Sequence, residues 1–195
     1  MSRLKIKIIT LIHPYTKFDN YQEEIEWIVT HERRNNFIKK LALDLSGNTL
    51  VLFNYVEKHG EPLYDMINNS ASSGRKVFLV HGGVETKDRE EIRSITENED
   101  NAIIVASYGT FSTGINIKRL HNIIFASPSK SRIRNLQSIG RVLRKGEGKD
   151  MAILYDIADD IGGQNYTLKH LNERVNIYND ENFRYEVIKV NLRAN

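Results

Sequence analysis

A three-layer α/β fold, with an open and mainly parallel sheet and helices on both faces, is predicted by three observations. Five short, nearly continuous apolar runs recur along the chain, at 49–55, 75–80, 101–107, 121–127 and 151–157. Strands covered on both faces look like this, because neither face meets water and the usual alternation is lost. Amphipathic helical stretches or long crossovers separate the runs, as parallel neighbours require. Turn residues stand at the joints: Gly47 and Asn48, the His59–Gly60–Glu61–Pro62 stretch, the NNSASSG cluster at 68–74, and Gly82 with Gly83.

The elements follow in order. Residues 4–12, LKIKIITLI, form a strand or an extended arm that Pro14 ends; residues 1–20 are set apart as an N-terminal arm or linker, and 21–195 as the domain. Between Tyr21 and Leu45, Ile25, Ile28, Val29, Phe37, Ile38, Leu41, Ala42 and Leu45 recur at spacings of three and four, which predicts a helix, with a break near Asn35 and Asn36. After the 49–55 strand, Pro62 suits the first turn of a helix beginning near Glu61. Thr86 can cap a helix running to about Ile95. The last forty residues hold a Gly162–Gly163 turn, a helix over 167–178 and an extended FRYEVIKV, which either adds an edge strand or joins the N-terminal run.

Composition narrows the function classes. A length of 195 residues with 40% apolar content suits one packed domain. The absence of cysteine excludes disulfides and thiolate metal sites, and the six histidines never form a close pair, so no metal is expected. No apolar run reaches the length that crosses a membrane, and a soluble, cytoplasmic, monomeric protein is expected. Net charge is only +3, yet seven Lys or Arg stand against one Glu between Lys130 and Lys149. Within that stretch lies QSIGRVLRKG, 137–146. On a helix, Gln137, Gly140, Arg141 and Arg144 fall within roughly 100° of one another, while Leu136, Ile139, Val142 and Leu143 point the other way. Paired guanidiniums beside a glycine suit close approach to a phosphate; solvated arginines on an amphipathic helix are the plainer reading.

In open α/β sheets the carboxyl ends of the strands form the working edge. The loops NYVEKHGEP, HGGVETKDR and SYGTFSTGINIKRL meet there, and SPSKSRIRN leads into the arginine segment. The third loop crowds Ser107, Tyr108, Gly109, Thr110, Ser112, Thr113, Gly114 and Asn116 into ten positions, a composition that brings backbone N–H groups and hydroxyls up to sugar-phosphate oxygens. Asn54, Lys58 and His81 serve equally as nucleic-acid contacts or as structural residues. Asp156, Asp159 and Asp160 suggest salt links or caps more than a metal site. No GxxxxGK[ST] occurs, so the chain can lend arginines to phosphoryl transfer without binding and hydrolysing ATP by itself.

These residues resemble a known family. SYGTFSTGINIKRLHNIIFASP is similar to motif V and QSIGRVLR to motif VI of superfamily 2 helicases and translocases; LVLFNY resembles motif IV, and FLVHGG the motif between IV and V. The likeness covers about residues 20 to 190 and implies the second RecA-like domain of such an enzyme. It implies that ATP with Mg2+ is clamped between this domain and an N-terminal RecA-like domain of the same protein, which holds most of the ion. Arg144 would be the arginine finger, Arg141 would reach the terminal phosphates, and Gln137 would couple that site to the domain interface. Gly114 and Asn116 would lie on the nucleotide side of motif V, although the family often has aspartate where Asn116 stands, which leaves its polar role open. Thr113, with Ser112 or Thr110, would touch the nucleic-acid backbone, as would Asn54 and the turn of His81, Gly82 and Gly83. The implied activity is ATP-dependent remodelling of branched or single-stranded DNA, with RNA as a further substrate, in recombination and repair. A non-catalytic nucleic-acid binding module of the same fold is the rival reading.

Overall fold

The computed structural model describes residues 4–82, 86–112, 117, 119–128 and 152–193, with the backbone alone for 86–89 and 112. Its strands are β1 (Leu4–Ile12), β2 (Asn48–Phe53), β3 (Val77–Val80), β4 (Ile103–Ser107), β5 (Leu120–Phe125), β6 (Ala152–Asp160) and β7 (Arg184–Asn191). They form one seven-stranded sheet in the order β3-β4-β2-β5-β6-β1-β7. Every pairing among the described residues is parallel.

The five apolar runs are β2 to β6, and two further strands extend the sheet. Residues 4–12, set apart above with the arm or linker, form an inner strand: Leu4 to Ile12 pair with Ala152 to Asp160 on one side, and Lys5 to Ile12 with Arg184 to Asn191 on the other. The early Lys/Ile alternation masked this, because Lys5 and Lys7 stay partly exposed beside Glu186. The terminal extended run both adds an edge strand and joins the N-terminal run, since β7 pairs with β1.

Among the described residues the sheet is accompanied by the helices α1 (Tyr21–Thr30), α2 (Glu32–Asp44), α3 (Glu61–Ser70), α4 (Thr86–Asn98), α5 (Tyr108–Ser112) and α6 (Tyr166–Asp180). Side chains alternate between two cores. Leu50 and Leu52 of β2 face the layer that includes Ile92 of α4 and Leu171 and Val175 of α6. Val51 and Phe53 face Ile38 and Ala42 of α2 and Leu63 and Ile67 of α3. The expected three layers follow from this division of each strand.

The helical run 21–45 breaks at His31 and not at the asparagines. His31 is extended and its Nδ1 accepts from Arg34 N at 3.1 Å, so one residue ends α1 and caps α2. Asn35 sits inside α2 and its Nδ2 donates to Val29 O at 2.9 Å, satisfying a carbonyl that the end of α1 leaves open. Helix α3 begins at Glu61 as expected, preceded by a π-helical turn over Val56–Gly60. That turn lies so close to β2 that a Cβ on Gly60 would stand 2.5 Å from the Phe53 ring, which is why glycine occupies the position.

Candidate nucleic-acid interface

Because the sheet is parallel, β3, β4, β2 and β5 all leave it at one edge. Val80 pairs with Ala106, Phe53 with Ser107, and Leu52 with Phe125, so these strands end at nearly one level. Three spacings of about 4.8 Å place the four exits within about 15 Å. Asn54 is exposed just beyond β2, and His81 and Gly82 follow β3. A Cβ built on Gly82 or Gly109 would meet nothing within 4 Å.

The β4 exit is a short helix and not the plain loop expected. Ser107 caps it: its Oγ accepts from Thr110 N at 3.2 Å and shares a 2.6 Å hydrogen bond with Thr110 Oγ1. Thr110 is buried, and its hydroxyl shares the hydrogen bond with Ser107 that closes the turn. Ser112 ends that helix. Thr113, Gly114, Asn116, Gln137, Arg141 and Arg144, with Gly83, lie outside the described residues.

Beneath the edge runs a polar chain that sequence reasoning missed. Asn54 N donates to Ser127 Oγ at 3.0 Å, Ser127 Oγ and His59 Nδ1 are 2.5 Å apart, and His59 Nε2 and Asn35 Oδ1 are 3.0 Å apart. Asn35 spends its amide N–H on Val29 O, so its oxygen accepts and His59 Nε2 must carry the proton. His59 Nδ1 then accepts, and the Ser127 hydroxyl donates to it. Burial, followed by the nearby Arg34 charge, holds the His59 pKa well below its ordinary value despite the opposing pull of Asp159, which keeps this tautomer neutral. Ser127 also offers its carbonyl to Tyr108 OH at 2.9 Å. One residue therefore touches the exits of β2 and β4 while belonging to that of β5. The available signal was a hydroxyl residue directly after a buried apolar run.

A second buried group supports the same edge. Arg34 Nε lies 2.9 and 3.1 Å from the two Asp159 oxygens, and its Nη1 donates to Ala126 O at 2.7 Å. His13 Nε2 meets Asp159 Oδ1 at 2.8 Å. Burial works against the Asp159 charge, but the Arg34 guanidinium and the hydrogen bonds from His13 and Arg34 outweigh it and hold the carboxyl at about 2. Asp156 is held by Arg174 at 2.8 and 3.1 Å and by Tyr178 OH at 2.6 Å. Asp160 accepts from Gly163 N at 2.7 Å. The acidic trio is thus engaged in salt links and a turn, as its sequence suggested. Among the described residues no group of three His, Asp or Glu is placed to hold a metal ion.

A parallel sheet with polar loops gathered at its carboxyl edge, and motif-like segments after β2, β3, β4 and β5, defines a RecA-like motor domain. The pattern of the family described as helicase conserved C-terminal domain matches residues 33–146, and the chain belongs to that family. It is closely related to the ATP-dependent DNA helicase uvsW of Enterobacteria phage T4, with 40% identity over 98% of this chain and 42% of the relative. The crystal structure of T4 UvsW superposes with a TM-score of 0.82 at 39% identity, covering 97% of this chain and 42% of that one. The C-terminal domain of the DEAD-box protein Dbp5 shares the fold, with a TM-score of 0.63 at 14% identity over 95% of this chain and 90% of its own. The chain spans less than half the length of its phage relative. ATP and Mg2+ are used generally by superfamily 2 helicases.

Proposed function

We propose that the chain is the second motor domain of an ATP-dependent helicase or translocase that remodels branched or single-stranded DNA, with RNA as a further substrate, in recombination and repair. The observation that carries this reading is the convergence of the β2, β3, β4 and β5 exits, each bearing a motif-like segment, on one sheet edge. Asn54, the His81–Gly82 turn and the turn over Tyr108–Ser112 would meet the sugar-phosphate backbone. Arg144 and Arg141 would meet the terminal phosphates of ATP held by an N-terminal RecA-like domain, with Gln137 coupling that site to the domain interface and Gly114 and Asn116 beside the nucleotide. Thr113 would contact the nucleic acid with Ser112, while Thr110 would act by shaping the turn. Contact with phosphates in preference to base edges gives little sequence preference and a steep salt dependence.

The test uses this domain joined to its ATP-binding partner domain. Arg144→Ala is expected to lower DNA-stimulated ATP turnover on the order of 10³-fold at saturating ATP. Near-normal turnover would remove the finger assignment. If the arginine variants changed DNA affinity and left turnover intact, the chain would be a binding module and not half of a motor.

A further inference from the structure

Ser127 is fully buried and, among the described residues, makes three side-chain or carbonyl hydrogen bonds outside its own segment. Its Oγ accepts from Asn54 N, just beyond β2, and faces His59 Nδ1 in the turn before α3; its carbonyl accepts from Tyr108 OH at the start of α5. Ser127 N donates to Leu52 O at 3.3 Å, which adds a further hold on β2. The Tyr108 ring packs edge-on against Phe125 at 5.7 Å between centroids, so the phenol reaches Ser127 from a fixed direction.

We propose that Ser127 is a positioning residue: its hydroxyl and carbonyl lock the Asn54 turn and the Tyr108–Ser112 turn at one mutual spacing, so that both engage the same nucleic-acid backbone. The inference rests on the nucleic-acid reading above and adds to it the residue that sets the geometry. The Asn54 and Tyr108 turns leave neighbouring strands, and no hydrogen bond among the described residues joins Asn54 directly to Tyr108 or Thr110. The last ladder pair, Phe53 with Ser107, stops one residue short of both turns, and beyond it Ser127 hydrogen-bonds to each of them. The donor order reaching it through Val29, Asn35 and His59 admits one direction only, so the Ser127 hydroxyl has one orientation and its lone pair faces Asn54. Adjacent phosphates along a nucleic-acid strand sit at a set interval, and two turns that drift independently lose one of the two contacts.

The experiment is a fluorescence-anisotropy titration of the 195-residue chain with a labelled oligo(dT), run at several salt concentrations and at a temperature where circular dichroism shows each variant folded. Ser127→Ala is expected to weaken the Kd roughly fivefold to tenfold, as for one lost hydrogen bond. It should also make the slope of log K against log salt shallower by about 0.7, the loss of one phosphate contact on a single strand. Tyr108→Phe keeps the ring and removes only the bond to the Ser127 carbonyl; it should weaken the Kd about threefold. Wild-type affinity in both folded variants would overturn the role of Ser127 and leave the nucleic-acid reading standing. A weaker Kd with an unchanged salt slope would also overturn it, because general loosening and not the loss of a defined contact would be the cause. A wild-type chain that fails to bind the oligonucleotide would overturn the nucleic-acid reading itself, and the positioning role with it.

Discussion

The two halves of the sheet are built alike and held differently. On the β3-β4-β2-β5 side, the strand exits are tied by neutral groups: Ser127, a His59 kept uncharged, Asn35 and Tyr108. On the β6-β1-β7 side, the ties are buried charges: Asp156 with Arg174, and Asp159 with Arg34 and His13. Neutral hydrogen bonds can be remade at small net cost, whereas a buried charge cannot lose its partner cheaply. By that measure the charged half is the harder to disturb. Arg34 joins the two halves, because the same guanidinium that holds Asp159 also donates to Ala126 at the β5 exit.

Chemical denaturation, acid titration and thermal unfolding each test how firmly these groups are held. The largest effect is expected from Asp156→Ala, which strands the Arg174 charge in the core. Chemical denaturation should show a loss of about 3–5 kcal/mol, largely regained when Arg174→Met is added. A loss below about 1 kcal/mol would mean that the charged half is no firmer than the neutral one.

Acid comes next. The Asp159 carboxyl is depressed from 3.8 to about 2, so its contribution is complete above the unfolded value and is lost as pH falls through the folded one. The shift corresponds to about 2 kcal/mol, and Asp159→Asn should abolish that part of the acid profile. The neutral half responds earlier. The folded His59 pKa lies below its unfolded value near 6.5, so the unfolded chain takes up the proton first and stability declines as pH drops below about 6.5. Stability that stayed flat from pH 7 to 4 would contradict the neutral His59.

The smallest effect separates two adjacent glycines in the turn after β6. Both are left-handed, Gly162 at φ +94° and Gly163 at φ +89°. A Cβ on Gly162 would also stand 2.4 Å from the Tyr15 ring, while one on Gly163 would meet nothing. Alanine at either should cost about 1 kcal/mol from the backbone alone. Tyr15 is exposed and can swing aside, so Gly162→Ala should exceed Gly163→Ala only slightly in thermal unfolding, and a large gap would show that Tyr15 is held in place.

Much of the fold was legible because the relevant physics is local. Apolar runs marked β2 to β6, and Pro62 marked the start of α3 within a residue. The break at His31 was hidden because an imidazole acting as cap looks like any polar residue on a helix surface, while Asn35 and Asn36 look like breakers. At the candidate interface, Asn54, His81 and Gly82 were placed on the carboxyl edge by parallel topology alone. Thr110 was identified as part of the right turn, but its burial and its hydrogen bond with Ser107 are not legible in composition.

The sequence by itself determined the layers of the domain, the edge on which its polar loops gather, and the family to which it belongs. Each rests on patterns a few residues long: apolar periodicity, turn residues and short motifs. Only the tertiary structure decided that β1 lies between β6 and β7, that Arg34 meets Asp159 across 125 positions and His13 meets it across 146, and that Ser127 joins three strand exits. Such contacts leave no local trace. A buried charge or hydroxyl becomes affordable only where distant segments bring its partner, and that depends on how the whole sheet is ordered.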